Sequence, residues 1–219
     1  MSVIVLGSLN MDLVARTPHL PVPGETVTGS AFSTAPGGKG ANQAVAAARL
    51  GASTRMIGRV GADAYGDALR ESLRAAGVDP RLIQTDNTTS TGVAIIAVDD
   101  AAENSIIVIP GANGQLDETD VTRLDAHLAG GEVLLLQLEV PLSVNIAAAR
   151  AAQAHGVTVI LDPAPAQTLP DKLYDLVDIL TPNQVEAAHL TGITINCRED
   201  AVRAADALLA KGVRDVIVK

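Results

Sequence analysis

Short apolar runs alternate with amphipathic helical stretches along almost the whole chain, and that alternation restricts the fold more than any other feature. The runs are "SVIVLGSL" (residues 2–9), "TRMIGRVG" (54–61), "EVLLLQLE" (132–139), "VTVILD" (157–162), "LVDILTPN" (176–183) and "RDVIVK" (214–219). They are short, rich in β-branched residues and apolar at consecutive positions, as strands covered on both faces have to be. Between them lie "GDALRESLRAAGV" (66–78), where Leu69, Leu73 and Ala76 share a face, and "PLSVNIAAARAAQAHG" (141–156), with Pro141 in its first turn. "QVEAAHL" (184–190) and "REDAVRAADALLAKG" (198–212) follow. Repeated βα units imply parallel strands joined by right-handed crossovers. The expected fold is α/β: a doubly wound, mainly parallel sheet flanked by helices, in one domain over residues 1–219. Aromatic residues make up 1% of the chain against 47% hydrophobic, so Ala, Val, Leu and Ile must fill the core.

Two segments leave this rhythm. Residues 11–34 show no helical period and are punctuated by Pro18, Pro21, Pro23 and Gly24. Residues 91–109 read as two strands joined by a polar turn at 99–104, with Ala94, Ile96 and Val98 alternating onto one face. Together they predict a small β-sheet lid, inserted at about 11–34 and 91–109, over the ligand edge of the main sheet.

The formal charge is −9 and no Lys/Arg cluster occurs, which argues against nucleic acid and anionic membranes as partners. Cys197 is the single cysteine, so no disulfide can form within the chain. The first residues lack a basic segment and a long apolar run, and no stretch has membrane-spanning length. A soluble cytoplasmic protein is expected. His19, His127, His155 and His189 are scattered without metal-ligand spacing.

In open α/β sheets, ligands bind beyond the carboxyl ends of the strands. Polar residues stand there behind four apolar runs: Asn10 with Asp12, Glu139, Asp162, and Asn183 with Glu186. Any one of them could be an ordinary cap or turn residue, Asn183 above all, since a helix follows it directly. The loop "PGGKGAN" (36–42) adds a fifth feature. It is not a phosphate loop of the G-x-x-x-x-G-K-[ST] kind, because Lys39 precedes Gly40 and Ser33 stands where the motif should begin. Nor is it a dinucleotide fingerprint, since Gln43 replaces the third glycine. What remains is bare backbone at Gly37, Gly38 and Gly40, with donors on Lys39 and a two-way amide on Asn42. Asp12 and Glu139 would add acceptors. That set suits a neutral, hydroxyl-rich molecule such as a sugar.

These motifs resemble those of the ribokinase family, the sugar kinases also called the PfkB type. "GSLNMD" (7–12), "PGETVTG" (23–29), "GGKGANQAVAAARLGA" (37–52), "STGVAII" (90–96), "PGAN" (110–113), "LLQLEVPL" (135–142), "DPAPA" (162–166), "LTPNQVEAAHLTG" (180–192) and "KGVRDVIVK" (211–219) fall in the family's order over essentially the whole chain. "NMD", "GGKGAN", "QLE" and "TPN" together lie nearer the ribokinases than the family's adenosine or fructose-phosphate kinases.

The resemblance implies that Asn10, Asp12, Gly38, Lys39, Asn42 and Glu139 hydrogen-bond D-ribose. It implies that the lid closes over the sugar with Ala94, Ile96 and Val108 inward, and that the lid pairs with a second copy in a homodimer. Asn183 would lie near the phosphates of ATP, and Glu186 would order the water and Mg2+ around them. The reaction implied is transfer of the ATP γ-phosphoryl group to the 5-hydroxyl of ribose, giving ribose 5-phosphate. The family's GAGD motif, which carries its general-base aspartate, has no counterpart in residues 1–219, where no G-x-G-D occurs. That aspartate, most of the adenine site and a monovalent-cation (K+) site are expected beyond Lys219, so no catalytic residue is assigned and the domain is read as C-terminally incomplete. The alternatives are a truncated sugar-binding protein without catalysis and a sibling kinase acting on another sugar or nucleoside.

Overall fold

The first apolar run forms β1 (Ser2–Leu6), and its side chains divide between two cores. Val3 and Val5 join Ala44, Met56, Leu69 and Leu73, whereas Ile4 and Leu6 join Leu134, Leu136, Ala148 and Leu161. A strand buried on both sides has no position for a polar side chain, which is why the run is unbroken. This computed structural model describes residues 2–128 and 132–219. Among them, β4 (Ser53–Gly61) and β5 (Val78–Asp86) flank β1 on one side. On the other lie β8 (Val133–Gln137), β9 (Thr158–Asp162), β10 (Ile179–Leu180) and β11 (Asp215–Val216). The order is β11-β10-β9-β8-β1-β4-β5, every pair parallel.

Helices cover both faces, as the βα alternation predicts. α1 (Lys39–Arg49) and α2 (Ala64–Ala75) lie over Val3 and Val5. α3 (Glu118–Asp125), α4 (Leu142–Ala154) and α5 (Asp171–Tyr174) lie over Ile4 and Leu6. Ala148, Ala149 and Ala152 are fully buried on α4, so the helix can sit close on the sheet. α6 (Gln184–Thr191) and α7 (Arg198–Leu209) pack on each other through Ala187, Ile195 and Ala204.

Among the elements with no counterpart in the sequence reading are β5 and α3. β5 is an edge strand containing Pro80, accommodated where the register shifts between Arg55 and Ile57 of β4; an edge needs neither proline's missing N–H nor an apolar run. α3 reads "ETDVTRLD" and begins with a reciprocal capping box between Asp117 and Asp120. The runs at 176–183 and 214–219 shrink to two-residue strands, although Ile217 N and Lys219 N still donate to Leu180 O and Pro182 O, each at 2.9 Å.

The two irregular segments meet in a second sheet. β2 (Asn10–Arg16), β3 (Ala31–Gly37), β6 (Gly92–Val98) and β7 (Asn104–Ile109) run in the order β3-β2-β6-β7, with β2 and β6 parallel and the outer pairs antiparallel. β2 starts at Asn10 and β3 ends at Gly37, so the lid strands grow directly out of the polar loops. Pairing places Asp12, Ala94 and Val108 in one row of one face, and Val14, Ile96 and Ile106 in the next. The opposite face carries Leu13, Ile95 and Ile107, with Ile107 63% exposed. No helix among the described residues is long and apolar enough to cross a membrane.

Candidate active site

Asn10 and Asp12 are the first and third residues of β2, so their side chains leave the strand on the same face. Antiparallel β3 sets Gly37 opposite Asn10 and Ala35 opposite Asp12. A β-carbon at Gly37 would lie 2.4 Å from Asp12 Oδ2, so the carboxylate rests on a residue that has to be glycine. Gly38 follows at φ 92°, where a side chain would also meet the backbone nitrogen of Asn10 at 2.7 Å. The chain then enters α1.

Gly38 offers α1 no capping side chain. Other strand ends satisfy the helix instead: Lys39 N donates to Glu139 Oε2 at 3.0 Å, and Gly40 N to Ser8 Oγ at 3.2 Å. Ser8 Oγ in turn donates to Glu139 Oε2 at 2.5 Å, and Asn10 Nδ2 approaches the same oxygen at 3.5 Å. Amide hydrogens and the macrodipole make a helix N-terminus a natural seat for an anion. Here the chain's own carboxylate takes that seat. A loop meant to cradle a nucleotide phosphate would need it for the phosphate.

With Oε2 committed to three donors, Oε1 makes no hydrogen bond among the described residues. Glu139 and Lys39 line a cleft of about 660 Å3, together with Gln167 and, from the lid, Ile106 and Val108. Polar groups thus meet the cleft at one end and apolar side chains roof it. Burial, and then the charge of Glu139, push the Asp12 carboxyl above the usual carboxylate range. Hydroxyl protons from a ligand would relieve both effects.

The structure brings Asn10, Asp12, Gly38, Lys39 and Glu139 together. Asn42 is exposed one turn along α1, lining the groove towards α2 with Pro36 and Leu69, and makes no side-chain hydrogen bond to this cluster among the described residues. Asn183 and Glu186 stand at the end of β10, two strands from β8, and form a complete capping box on α6. Glu186 N donates to Asn183 Oδ1 at 2.8 Å, while Asn183 N and Nδ2 donate to the two Glu186 oxygens at 2.7 and 2.9 Å. Asp162 accepts from Lys219 Nζ at 2.8 Å and from Gln43 Nε2 at 3.4 Å, tying β9 to α1. Sequence reasoning passed over Ser8 and Asn113, both fully buried. "GSLN" and "PGAN" were visible as motifs, but neither residue type advertises a role in holding other side chains.

The chain matches the pfkB family carbohydrate kinases over residues 1–219. It is 45% identical over 214 residues to a ribokinase of Haemophilus influenzae, covering 98% of this chain and 70% of that protein. A deoxyribokinase of Salmonella typhi is 37% identical over 219 residues, 100% of this chain and 72% of the relative. Among solved structures, the Arabidopsis thaliana ribokinase complexed with ribose and ATP superposes with a TM-score of 0.89 at 36% identity, covering 100% of this chain and 71% of that one. Fold, glycine loop and whole-chain similarity agree: the chain belongs to the ribokinase/pfkB family of carbohydrate kinases.

Proposed function

We propose that this chain binds D-ribose between Asp12, Lys39 and Glu139 and presents its 5-hydroxyl to the γ-phosphoryl group of ATP, giving ribose 5-phosphate. The observation that carries this reading is the fixed Glu139 carboxylate, which closes the helix N-terminus to phosphate, lines the cleft, and lies near enough to Asp12 for its charge to raise that carboxyl. Two carboxylates accept hydroxyl protons; Asn10 and Lys39 donate to hydroxyl oxygens; Gly38 lets the sugar approach the backbone. Ala94, Ile96 and Val108 cover it, keeping water from competing as acceptor. Transfer of this kind relies on positioning and on neutralising charge. No general base is proposed within residues 1–219.

Asn183 and Glu186 are the proposed contacts to MgATP. Both Glu186 oxygens are already hydrogen-bonded, and no group of three or more His, Cys, Asp or Glu able to hold a metal occurs among the described residues. The pair therefore suits contact with Mg2+ through water rather than direct ligation. The exposed lid residues Phe32, Ile95 and Ile107 support a homodimer formed through the lid, which sedimentation velocity tests.

A second acceptor, 2-deoxyribose, has the deoxyribokinase relative in its favour. Sugar binding without turnover is the third reading. Calorimetric titration with ribose and 2-deoxyribose, followed by ADP release with MgATP, separates the readings. Tighter binding of ribose than of 2-deoxyribose is expected from this chain, with ribose-dependent ADP release once the GAGD region expected beyond Lys219 is joined to it; preference for 2-deoxyribose, or no release even then, selects the second or third reading, and no binding of either sugar refutes all three.

A further inference from the structure

Asn113 lies in the 3-10 turn Gly111–Gln115 that follows β7, the strand returning from the lid, and it is 1% exposed. Its amide meets the backbone of Leu9, which sits between β1 and β2. Leu9 N donates to Asn113 Oδ1 at 2.9 Å, and Asn113 Nδ2 donates to Leu9 O at 3.0 Å. A backbone N–H can only donate and a carbonyl can only accept, so this pair fixes which end of the Asn113 amide is oxygen. The remaining Nδ2 hydrogen points at Asn10 Oδ1, 2.7 Å away. The β-carbon of any residue but glycine at position 92 would lie 2.3 Å from both Asn10 Oδ1 and Asn113 Nδ2. The two amides are therefore clamped where β2, β6 and β7 converge.

From this we infer that Asn113 is a positioning residue that sets the polarity of the sugar site. It holds the Asn10 oxygen inward, so that Asn10 Nδ2 faces Glu139 and the ligand, and Asn10 acts only as a donor. A sugar oxygen meeting Asn10 must accept there, and its own proton must go to a carboxylate, Asp12 or Glu139. The order runs from the Leu9 backbone through Asn113 to Asn10, and it ties sugar recognition to the root of the lid. This inference rests on the sugar-binding reading above, but the amide arrangement can be tested without any sugar.

In the wild-type chain without ligand, both Asn113 Nδ2 protons are expected to exchange slowly with solvent by NMR, because both are buried and bonded; fast exchange of either overturns the arrangement. The second measurement is a double-mutant cycle on ribose affinity. Asn113→Asp places a carboxylate against Asn10 Oδ1, so the Asn10 amide turns over and offers its oxygen to the sugar. Ribose affinity should fall about tenfold or more, since one hydrogen bond is replaced by a clash of acceptors. In an Asn10→Ala background the same change should alter affinity by less than about twofold, because the group it acts through is gone. Additive losses would mean that Asn113 merely supports the fold, and would overturn the inference. If Asn113→Asp does not fold, Asn113→Ser goes through the same cycle with the same requirement. A wild-type chain that binds no ribose refutes the functional reading alone, leaving the exchange measurement to decide the amide geometry.

Discussion

Glu139→Gln separates the two duties of Glu139, closing α1 and holding the sugar. A glutamine oxygen can occupy the place of Oε2, so the bonds from Ser8 Oγ and Lys39 N, at 2.5 and 3.0 Å, can persist in geometry. What disappears is the charge. Hydrogen bonds to a charged group contribute about 1.5–3 kcal/mol and neutral ones about 0.5–1.5, so the two short bonds lose roughly 1 kcal/mol each. The helix dipole loses a further ~0.3–1 kcal/mol. Relief of the repulsion that helps push up the Asp12 carboxyl offsets part of this. The net loss of roughly 1–2 kcal/mol corresponds to a Tm lower by about 2–8 °C for a chain of this size. In the cleft, an amide NH2 replaces Oε1 and donates where a sugar hydroxyl would donate. Losing that charge-assisted bond weakens ribose binding by about 10- to 150-fold. A third readout follows from the same geometry: without its charged neighbour Asp12 should titrate at lower pH than in the wild type, though still above an ordinary aspartate because its burial remains. Thermal melting, calorimetry with ribose and NMR titration of Asp12 measure the three effects. Unchanged Tm and unchanged affinity together would show that Glu139 neither closes the helix nor meets the sugar.

Ribose affinity should depend on pH through Asp12. Hydroxyl donors favour its ionised form, so binding is full above its raised pKa and weakens as pH falls through it, at higher pH than the ordinary 3.8; calorimetry giving a constant affinity between about pH 4 and 7 would contradict this. Gly37→Ala should leave the backbone in place while its new methyl displaces the Asp12 carboxylate 2.4 Å away, costing more than about tenfold in ribose affinity with little change in Tm; the same two assays check it. Lys39→Met should weaken ribose and spare ATP. Loss of nucleotide binding with sugar binding intact would restore the phosphate-loop interpretation of "PGGKGAN".

The main sheet was readable because its strands are buried on both faces, which forces unbroken apolar runs such as "SVIVL" and "VLLLQ". β5 escaped because an edge strand needs only Val78, Leu82 and Ile83 against the core, and Pro80 at a register shift disguises it. α3 escaped because Val121 and Leu124 are its only apolar residues. At the site, Asp12 and Glu139 stand out as acidic residues directly behind apolar strands, and the glycines mark backbone that something must approach. Ser8 and Asn113 work one step removed, by orienting Glu139 and Asn10, and a serine or asparagine in a turn carries no chemical sign of that work. Asn183 and Glu186 fit two descriptions at once. The structure builds the helix cap that their spacing allows, and the same two residues remain the proposed contacts to nucleotide.

A crystal structure of this chain soaked with ribose tests the central claim most directly. Sugar hydroxyls within hydrogen-bonding distance of both the Asp12 and Glu139 carboxylates, with Lys39 alongside and Ala94 above, is the expected result. Ribose seated instead in the groove between α1 and α2, or no bound sugar at saturating concentration, would contradict it.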